Sequence, residues 1–287
     1  MSKRQRTILQ SLWHPHQGLW NWDLVMKLTT DRPSTNAPKS KISWFLIWGD
    51  NLILSARVLY RRAKKMLSSK AIFKKYNKNV KIMYIDIGTH VAAKELSLMR
   101  EYVLPKVSND FRCIGIEANS SSFNCVKEKY DNDKCVDLLN AAVCREIPEN
   151  GSVDLYLNGD GHGDSLYKVS DKKITVSAMK VSDVIKKESE DPKRIILIRM
   201  NIEGAELDVL KDLQENNVLS KVDGYYGMWD DLSKINTDLD DELIRFTKLH
   251  KIKTITFNER DFVSTFRIKV IIYDLLTSII YSKKRYT

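Results

Sequence analysis

Several common signals are missing from this sequence of 287 residues. The cysteines are 12, 10 and 9 residues apart, without the C-x-x-C spacing of a zinc site. No N-terminal apolar run fits a signal peptide, and the apolar stretch at residues 42–49 is far shorter than the roughly 20 residues that cross a bilayer. There is no internal repeat. We expect a cytoplasmic protein without a metal site, and buried reduced thiols at Cys113, Cys125, Cys135 and Cys144.

Acidic residues are scarce at the N-terminal end of the chain. Residues 1–81 contain 17 Lys and Arg, three Asp and no Glu, a net charge of +14, whereas the remainder carries −4. This break predicts a basic, partly helical N-terminal extension, residues 1–80, followed by one domain, residues 81–287.

A helix is predicted within the extension from Leu52 to Met66, with an apolar side and a basic side. It either packs its apolar side on the following domain or lies on an anionic surface, such as a membrane or a charged polymer. In the second case the protein is attached to the periphery of a membrane. The sequence leaves both alternatives open.

The segment from Lys81 to Tyr102 changes from a strand pattern to a helix pattern through Gly88. Its first half is a short apolar run ending at Asp86, typical of a buried strand. Its second half repeats apolar residues every three or four positions and predicts one face of a helix, at Ala92, Leu96, Met99 and Val103. A strand, a glycine turn and a helix open a βαβ unit, whose ligand crevice lies where the strand ends, here Asp86 to His90.

The remaining pattern predicts an α/β fold with a doubly wound, mostly parallel sheet. Strands are predicted at residues 111–117, 136–143, 195–202, 222–229 and 253–257, and a strand pair at 152–157 and 174–179 around a glycine-rich loop. Helices are predicted at 121–130, 181–188 and 241–251, and another from Gly204. The tail, residues 262–281, stays open between a strand and a helix.

Acidic residues stand at the ends of two predicted strands. Glu117 ends the second strand, where a carboxylate can accept hydrogen bonds from both hydroxyls of a ribose, although a surface glutamate fits the same position. Asn201, Glu203 and Glu206 follow the most apolar strand and surround the start of a helix at Gly204. At least one of these two glutamates is expected to cap the helix.

Five stretches of residues 80–230 resemble the FkbM-type S-adenosylmethionine-dependent methyltransferases: IDIGTH, GIEANSSSF, LLNAAV, DSLYKVS and IEGAELDVL. The resemblance implies a seven-stranded, Rossmann-like class I methyltransferase fold with S-adenosylmethionine as its cofactor. It also implies O-methylation of a hydroxyl on a sugar, a glycan or a small metabolite.

The resemblance places the glycine-rich loop at Asp86 and Gly88, the ribose acid at Glu117, and the segment beside the adenine at Asn140 to Ala142. The candidate cofactor contacts are Asp86, Gly88, Thr89, His90, Glu117, Ala118, Asn140, Ala141, Ala142, Asn201 and Glu203. The sequence departs from the family at Arg199 and Asn201, where Lys and Asp are more usual, and at Met228 to Asp230.

Methyl transfer to a hydroxyl requires an acceptor held in line with the methyl carbon and a weak base. The candidate catalytic residues are His90, His162, Asn201 and Asp230, although His162 also fits a solvated loop. The acceptor is expected at Asp160, Asp164 and Trp229, in the glycine-rich loop and at the end of the fifth strand.

Two other functions are each suggested by part of the sequence. A nucleic-acid methyltransferase is suggested by the basic extension and its tryptophans, but no Asn-Pro-Pro-Tyr-like motif is present and the domain is acidic. A non-catalytic relative that only binds cofactor or a partner is suggested by Asn201 and the altered strand end.

Overall fold

The computed structural model describes residues 13–14, 19–20, 80–158, 163–189, 191, 193–227, 237–252, 254–256, 269, 272–273 and 275–280. The chain divides into two compact units, Met1–Lys64 and Lys65–Thr287. In the first unit, β1 (Trp13–His14) pairs antiparallel with β2 (Leu19–Trp20). The helix predicted between Leu52 and Met66 lies outside the described residues.

Strands and helices alternate along the second unit. Its strands are β3 (Lys81–Ile87), β4 (Asp110–Glu117), β5 (Val136–Asn140), β6 (Ala142–Val143), β7 (Ser152–Tyr156), β8 (Lys173–Met179), β9 (Ile195–Met200), β10 (Gly224–Gly227) and β11 (Thr254–Thr256). Its helices are α1 (Lys94–Ser97), α2 (Leu104–Val107), α3 (Ser120–Tyr130), α4 (Val181–Glu188), α5 (Glu206–Glu215) and α6 (Thr237–Leu249), with a 3-10 turn at Leu219–Lys221.

The main sheet has the strand order β11-β10-β9-β3-β4-β5, and all five neighbouring pairs are parallel. The chain therefore runs outward from β3 to β5 and returns to add β9, β10 and β11 on the other side. This reversal between β3 and β9 is the topological switch point, where the carboxyl ends of the strands leave a crevice. The predicted α/β class with a mostly parallel sheet is confirmed. Among the described residues, the main sheet has six strands.

Alternate residues of β3 supply the hydrophobic cores on the two faces of the sheet. Ile82 and Tyr84 pack with the helices of residues 94–107, with α3 and with the C-terminal helical residues. Met83, Ile85 and Ile87 pack on the other face, with α4, α5 and α6. Because successive side chains of a strand point to opposite faces, a continuous apolar run is what a sheet covered on both sides requires.

The predicted third strand, residues 136–143, is broken in the structure. Its first part, β5, joins the main sheet beside β4, whereas β6 pairs with β8 in a separate three-stranded sheet of order β6-β8-β7. The antiparallel pairing of β7 and β8 agrees with the predicted pair of strands. The break carries the chain from the main sheet to the smaller one beside the crevice.

The helix after β3 begins later than its apolar spacing predicts. Ala92 is exposed, and Ala93 is buried with a φ of 44°, so regular helix begins only at Lys94. The turns that follow include a π-helical segment, Leu98–Val103, just before Pro105. Proline has no backbone N–H and therefore disfavours a continuous α-helix at this point.

The described part of the tail is helical at residues 272–273 and 275–280. Its Ile272, Leu276 and Ile280 are buried in the core with the helices of residues 94–107. Within the described ranges, no helix has both the length and the apolar composition needed to span a bilayer.

Candidate active site

A cavity of about 420 Å³ opens at the carboxyl edge of the sheet, at the switch point. Its wall contains the segments that follow β3, β4 and β9, the chain between β5 and β6, and part of the loop between β7 and β8. Small-molecule and cofactor sites have volumes of roughly 300–1,000 Å³, and this cavity lies within that range.

The turn after β3 forms the base of this cavity. Gly88 has a φ of 79°, and a Cβ at this position would lie 2.2 Å from the carbonyl oxygen of Asn201. The Gly88 and Thr89 N–H groups both donate to the carbonyl of Ile116, at 2.9 and 3.2 Å. His90 continues the turn at a φ of 60°. Only glycine allows the β3 turn to approach the end of β9 so closely.

Glu117, the last residue of β4, lines the cavity and accepts a hydrogen bond from the turn that follows β3. Its Oε2 accepts from the His90 N–H at 2.6 Å, and its Oε1 accepts from the Asn119 N–H at 2.9 Å. Burial raises the pKa of this carboxyl, and the same two hydrogen bonds oppose the rise. Each carboxylate oxygen has a second lone pair, so Glu117 can still accept hydrogen bonds from a ligand.

Asp86 lies beneath this cavity and outside its wall. The side chain is fully buried and faces Arg199, its register partner on β9, with Arg199 Nη1 at 3.0 Å from Asp86 Oδ1. Burial outweighs this attraction and raises the pKa of Asp86 to about 6. Asp86 Oδ2 has no hydrogen-bond partner among the described residues.

Arg199 joins three parts of the site through one buried guanidinium. Besides Asp86, its Nη1 donates to the carbonyl of Gly88 at 2.7 Å, and its Nη2 lies 3.6 Å from Glu95 Oε2. The attraction of Asp86 and Glu95 raises the pKa of Arg199 against the effect of burial. Strand β9, the glycine turn and the first turn of α1 are therefore held together by one side chain.

The residues that follow β9 form another part of the cavity wall. The Asn201 N–H donates to the carbonyl of Ile87 at 3.2 Å, and Glu203 adopts a φ of 52°. The Glu203 carboxylate is paired with Lys168, and the Ser165 hydroxyl donates to the Glu203 carbonyl. Glu206 instead accepts from the Ile202 and Gly204 N–H groups at 3.0 and 2.9 Å, so the expected capping glutamate is Glu206.

Residues 86–226 match the family model for the methyltransferase FkbM domain. The chain carries an FkbM methyltransferase domain. This match begins at the buried Asp86 and ends in β10, so it includes every described segment of the cavity wall.

The FkbM domain is also similar to a crystal structure of methyltransferase FkbM from Methylobacillus flagellatus KT. The identity is 14%, and the match covers 71% of this chain but 37% of that chain, with a TM-score of 0.30. No curated protein matches the chain. The similarity to the FkbM family rests on the matched domain, residues 86–226, and on the motifs within it.

The segment predicted to lie beside the adenine, Asn140 to Ala142, spans the last residue of β5 and the first residue of β6. Ala141, Ala142 and Ala118 line the cavity. Asn140 is exposed and lies outside the described wall, and its amide donates to the Glu117 and Ala118 carbonyls at 2.8 and 3.1 Å. Asn140 thus positions the end of β4.

The described end of the glycine-rich loop is fixed to the rest of the FkbM domain. Asp164 lines the cavity, its Oδ1 accepts from the Asn158 N–H, and its Oδ2 accepts from the Asn119 side-chain amide, each at 2.8 Å. Ser165 and Leu166 continue the same wall. The other predicted acceptor and catalytic residues, Asp160, His162, Trp229 and Asp230, lie outside the described residues.

The sequence pattern does not mark Glu95 as a site residue, and it distinguishes Arg199 only as a departure from the family. A usable signal was present, because an arginine within a strand as apolar as residues 195–200 requires a buried anionic partner. The position of that partner, one turn into α1, depends on how the helix packs on the sheet.

The burial of the cysteines agrees only in part with the expectation of four buried thiols. All four are free, and Cys113 and Cys144 are buried, but Cys125 is exposed on α3 and Cys135 is half-buried. Burial raises the pKa of Cys144 to about 11, so this thiol stays protonated at neutral pH. The described part of the chain contains no group of three or more His, Cys, Asp or Glu side chains placed to hold a metal ion.

Proposed function

We propose that the protein is an S-adenosylmethionine-dependent methyltransferase that acts on a hydroxyl group of a sugar, a glycan or a small metabolite. The observation that supports this most strongly is the charge of the cavity at the switch point. Its described wall contains four carboxylates, Glu95, Glu117, Asp164 and Glu203, but only two permanent cations, Lys94 and Arg199. An acidic cavity suits a cofactor that carries a sulfonium cation, since opposite charges attract more strongly at a protein surface than in bulk water.

The wall residues fit this cofactor. The close Gly88 turn leaves backbone free of side chain at the base of the cavity, and Glu117 retains lone pairs for the two hydroxyls of a ribose. Ala118, Ala141 and Ala142 form a small apolar wall where a flat base can lie. When bound, S-adenosylmethionine supplies an electrophilic methyl group.

The acceptor is proposed to enter between the wall of Asp164 to Leu166 and the segment after β9. Asn201 lines this side and can orient a hydroxyl through its amide. His90 lines the cavity, and its Nδ1 accepts from the Ala92 N–H at 3.4 Å. A neutral imidazole that accepts at Nδ1 carries its proton at Nε2, which favours a base outside His90, such as the predicted Asp230.

The ribose assignment is tested by replacing Glu117 with alanine. The change removes the carboxylate and its bond to the His90 N–H, so we expect the affinity for S-adenosylmethionine to fall at least tenfold, equivalent to about 1.4 kcal/mol. Titration calorimetry measures this. Glu128→Ala, at an exposed position of α3, is the matched control and should bind as the wild type does. Unchanged affinity in a folded Glu117→Ala protein would remove the ribose assignment.

We further propose that the basic extension docks the protein on an anionic surface. A shortened chain beginning at Lys78 loses 15 Lys and Arg and three Asp. We expect the full chain to sediment with anionic lipid vesicles at low salt and to dissociate as salt screens the charges. The shortened chain should stay in solution yet still bind S-adenosylmethionine. Equal sedimentation of both chains would contradict the docking role.

A further inference from the structure

Glu95 is an unusual member of the cavity wall. It lies on the first turn of α1, faces the cavity and is only 7% exposed. Burying an ionised carboxylate is costly unless a cation or several hydrogen-bond donors compensate it. The contacts of Glu95 therefore show whether its charge is already compensated by the protein.

The other three carboxylates of the wall have close partners. Glu117 accepts two backbone N–H groups at 2.6 and 2.9 Å, and Asp164 accepts a backbone N–H and an amide at 2.8 Å. Glu203 is paired with Lys168. The ion pair of Glu95 with Arg199 is longer, at 3.6 Å. Of the four carboxylates, Glu95 thus has the longest contact with its partner.

Arg199 is also shared between two carboxylates. It lies closer to Asp86, at 3.0 Å, than to Glu95. With both carboxyl groups ionised, the cluster of Asp86, Glu95 and Arg199 has a net charge of −1, and Glu95 is the member of its two acids that lines the cavity. One of the two carboxylates of this net-negative cluster therefore faces the ligand.

We propose that Glu95 makes the cavity selective for cationic ligands and so favours the sulfonium cofactor over the neutral thioether product. This inference rests on the proposed function. In methyl transfer the sulfur–carbon bond breaks with its electron pair remaining on sulfur, a carbon–oxygen bond forms, and the hydroxyl proton passes to a base. The sulfur becomes neutral, so its attraction to Glu95 is lost and the product is held less tightly.

The test compares full-length wild type, Glu95→Gln and Glu101→Gln by titration calorimetry with S-adenosylmethionine and S-adenosylhomocysteine. Glutamine keeps the size of Glu95 but removes its charge. We expect Glu95→Gln to lower the ratio of the two affinities about tenfold. Glu101→Gln makes the same change at an exposed position of the π-helical segment and should leave that ratio unchanged. Equal weakening of both ligands by Glu95→Gln would overturn the proposal.

A second measurement needs no variant and therefore does not depend on the folding of Glu95→Gln. Wild type should bind an analogue with a protonated amine in place of the methylated sulfur at least tenfold more tightly than the neutral thioether. Equal binding of the amine and the thioether overturns the role of Glu95. Failure of the wild type to bind S-adenosylmethionine at all would instead overturn the proposed function, so the two failures are distinguishable.

Discussion

Replacing Arg199 with methionine is expected to lower the free energy of unfolding by about 3–5 kcal/mol, the usual cost of removing one partner from a buried ion pair. Arg199 is 3% exposed and bonds to Asp86 and to the Gly88 carbonyl. Methionine fills much of the space but leaves the Asp86 charge buried without its cation. Urea unfolding followed by circular dichroism measures the loss.

The stability lost on replacing Arg199 with methionine should decrease as pH falls. Burial already raises the pKa of Asp86 to about 6 while Arg199 opposes the rise, so removing Arg199 raises that pKa further. A carboxyl whose pKa is higher in the folded state lowers stability at high pH, and this cost decreases as pH falls from the folded-state pKa towards the unfolded-state pKa of about 3.9. The deficit of Arg199→Met relative to wild type should therefore shrink between pH 7.5 and about 5.

The control for this prediction is Arg145→Met, the same change in an exposed pair with Glu215. Surface ion pairs contribute little because both partners are solvated, so this variant should unfold much as the wild type does at both pH values. If the two variants lost the same stability, the buried cluster would not hold the site together.

Replacing Gly88 with alanine is expected to remove binding of S-adenosylmethionine and to cost about 2–5 kcal/mol of stability. Part of the cost is the left-handed backbone at a φ of 79°, and the rest is contact of the new Cβ with the Asn201 carbonyl oxygen at 2.2 Å. Relief of that contact must move the β3 turn away from the end of β9. Calorimetry and urea unfolding report the two effects.

Gly151→Ala separates the two causes. Gly151 has a φ of 69°, but a Cβ there has no neighbouring atom within 4 Å. This control should lose only the backbone cost, about 1–2 kcal/mol, and should bind the cofactor normally. A Gly88→Ala protein that behaved like Gly151→Ala would show that close approach of the β3 turn is not required.

The sequence predicted the elements whose patterns are local. The apolar runs of β3 and β9, the β7–β8 pair and helix α4 follow from periodicity within a few residues. The break between β5 and β6 does not, because it depends on which distant strand each half pairs with. The delayed start of α1 depends on the left-handed Ala93, which its residue type does not favour.

The candidate site was predictable to a similar extent. Gly88 and Glu117 stand where strand ends meet, so topology alone brings them to the cavity. The buried position of Asp86 beneath the wall follows from its register with Arg199 across β3 and β9. The place of Glu95 follows from helix packing. Neither the register nor the packing can be derived from the sequence pattern.

Titration of the chain with S-adenosylmethionine, using wild type and Glu117→Ala in parallel, tests the claim that the cavity at the switch point binds this cofactor. We expect saturable binding at one site per chain in the wild type and at least tenfold weaker binding in the variant. Absence of binding to folded wild-type protein, or the same affinity in both proteins, would contradict the claim.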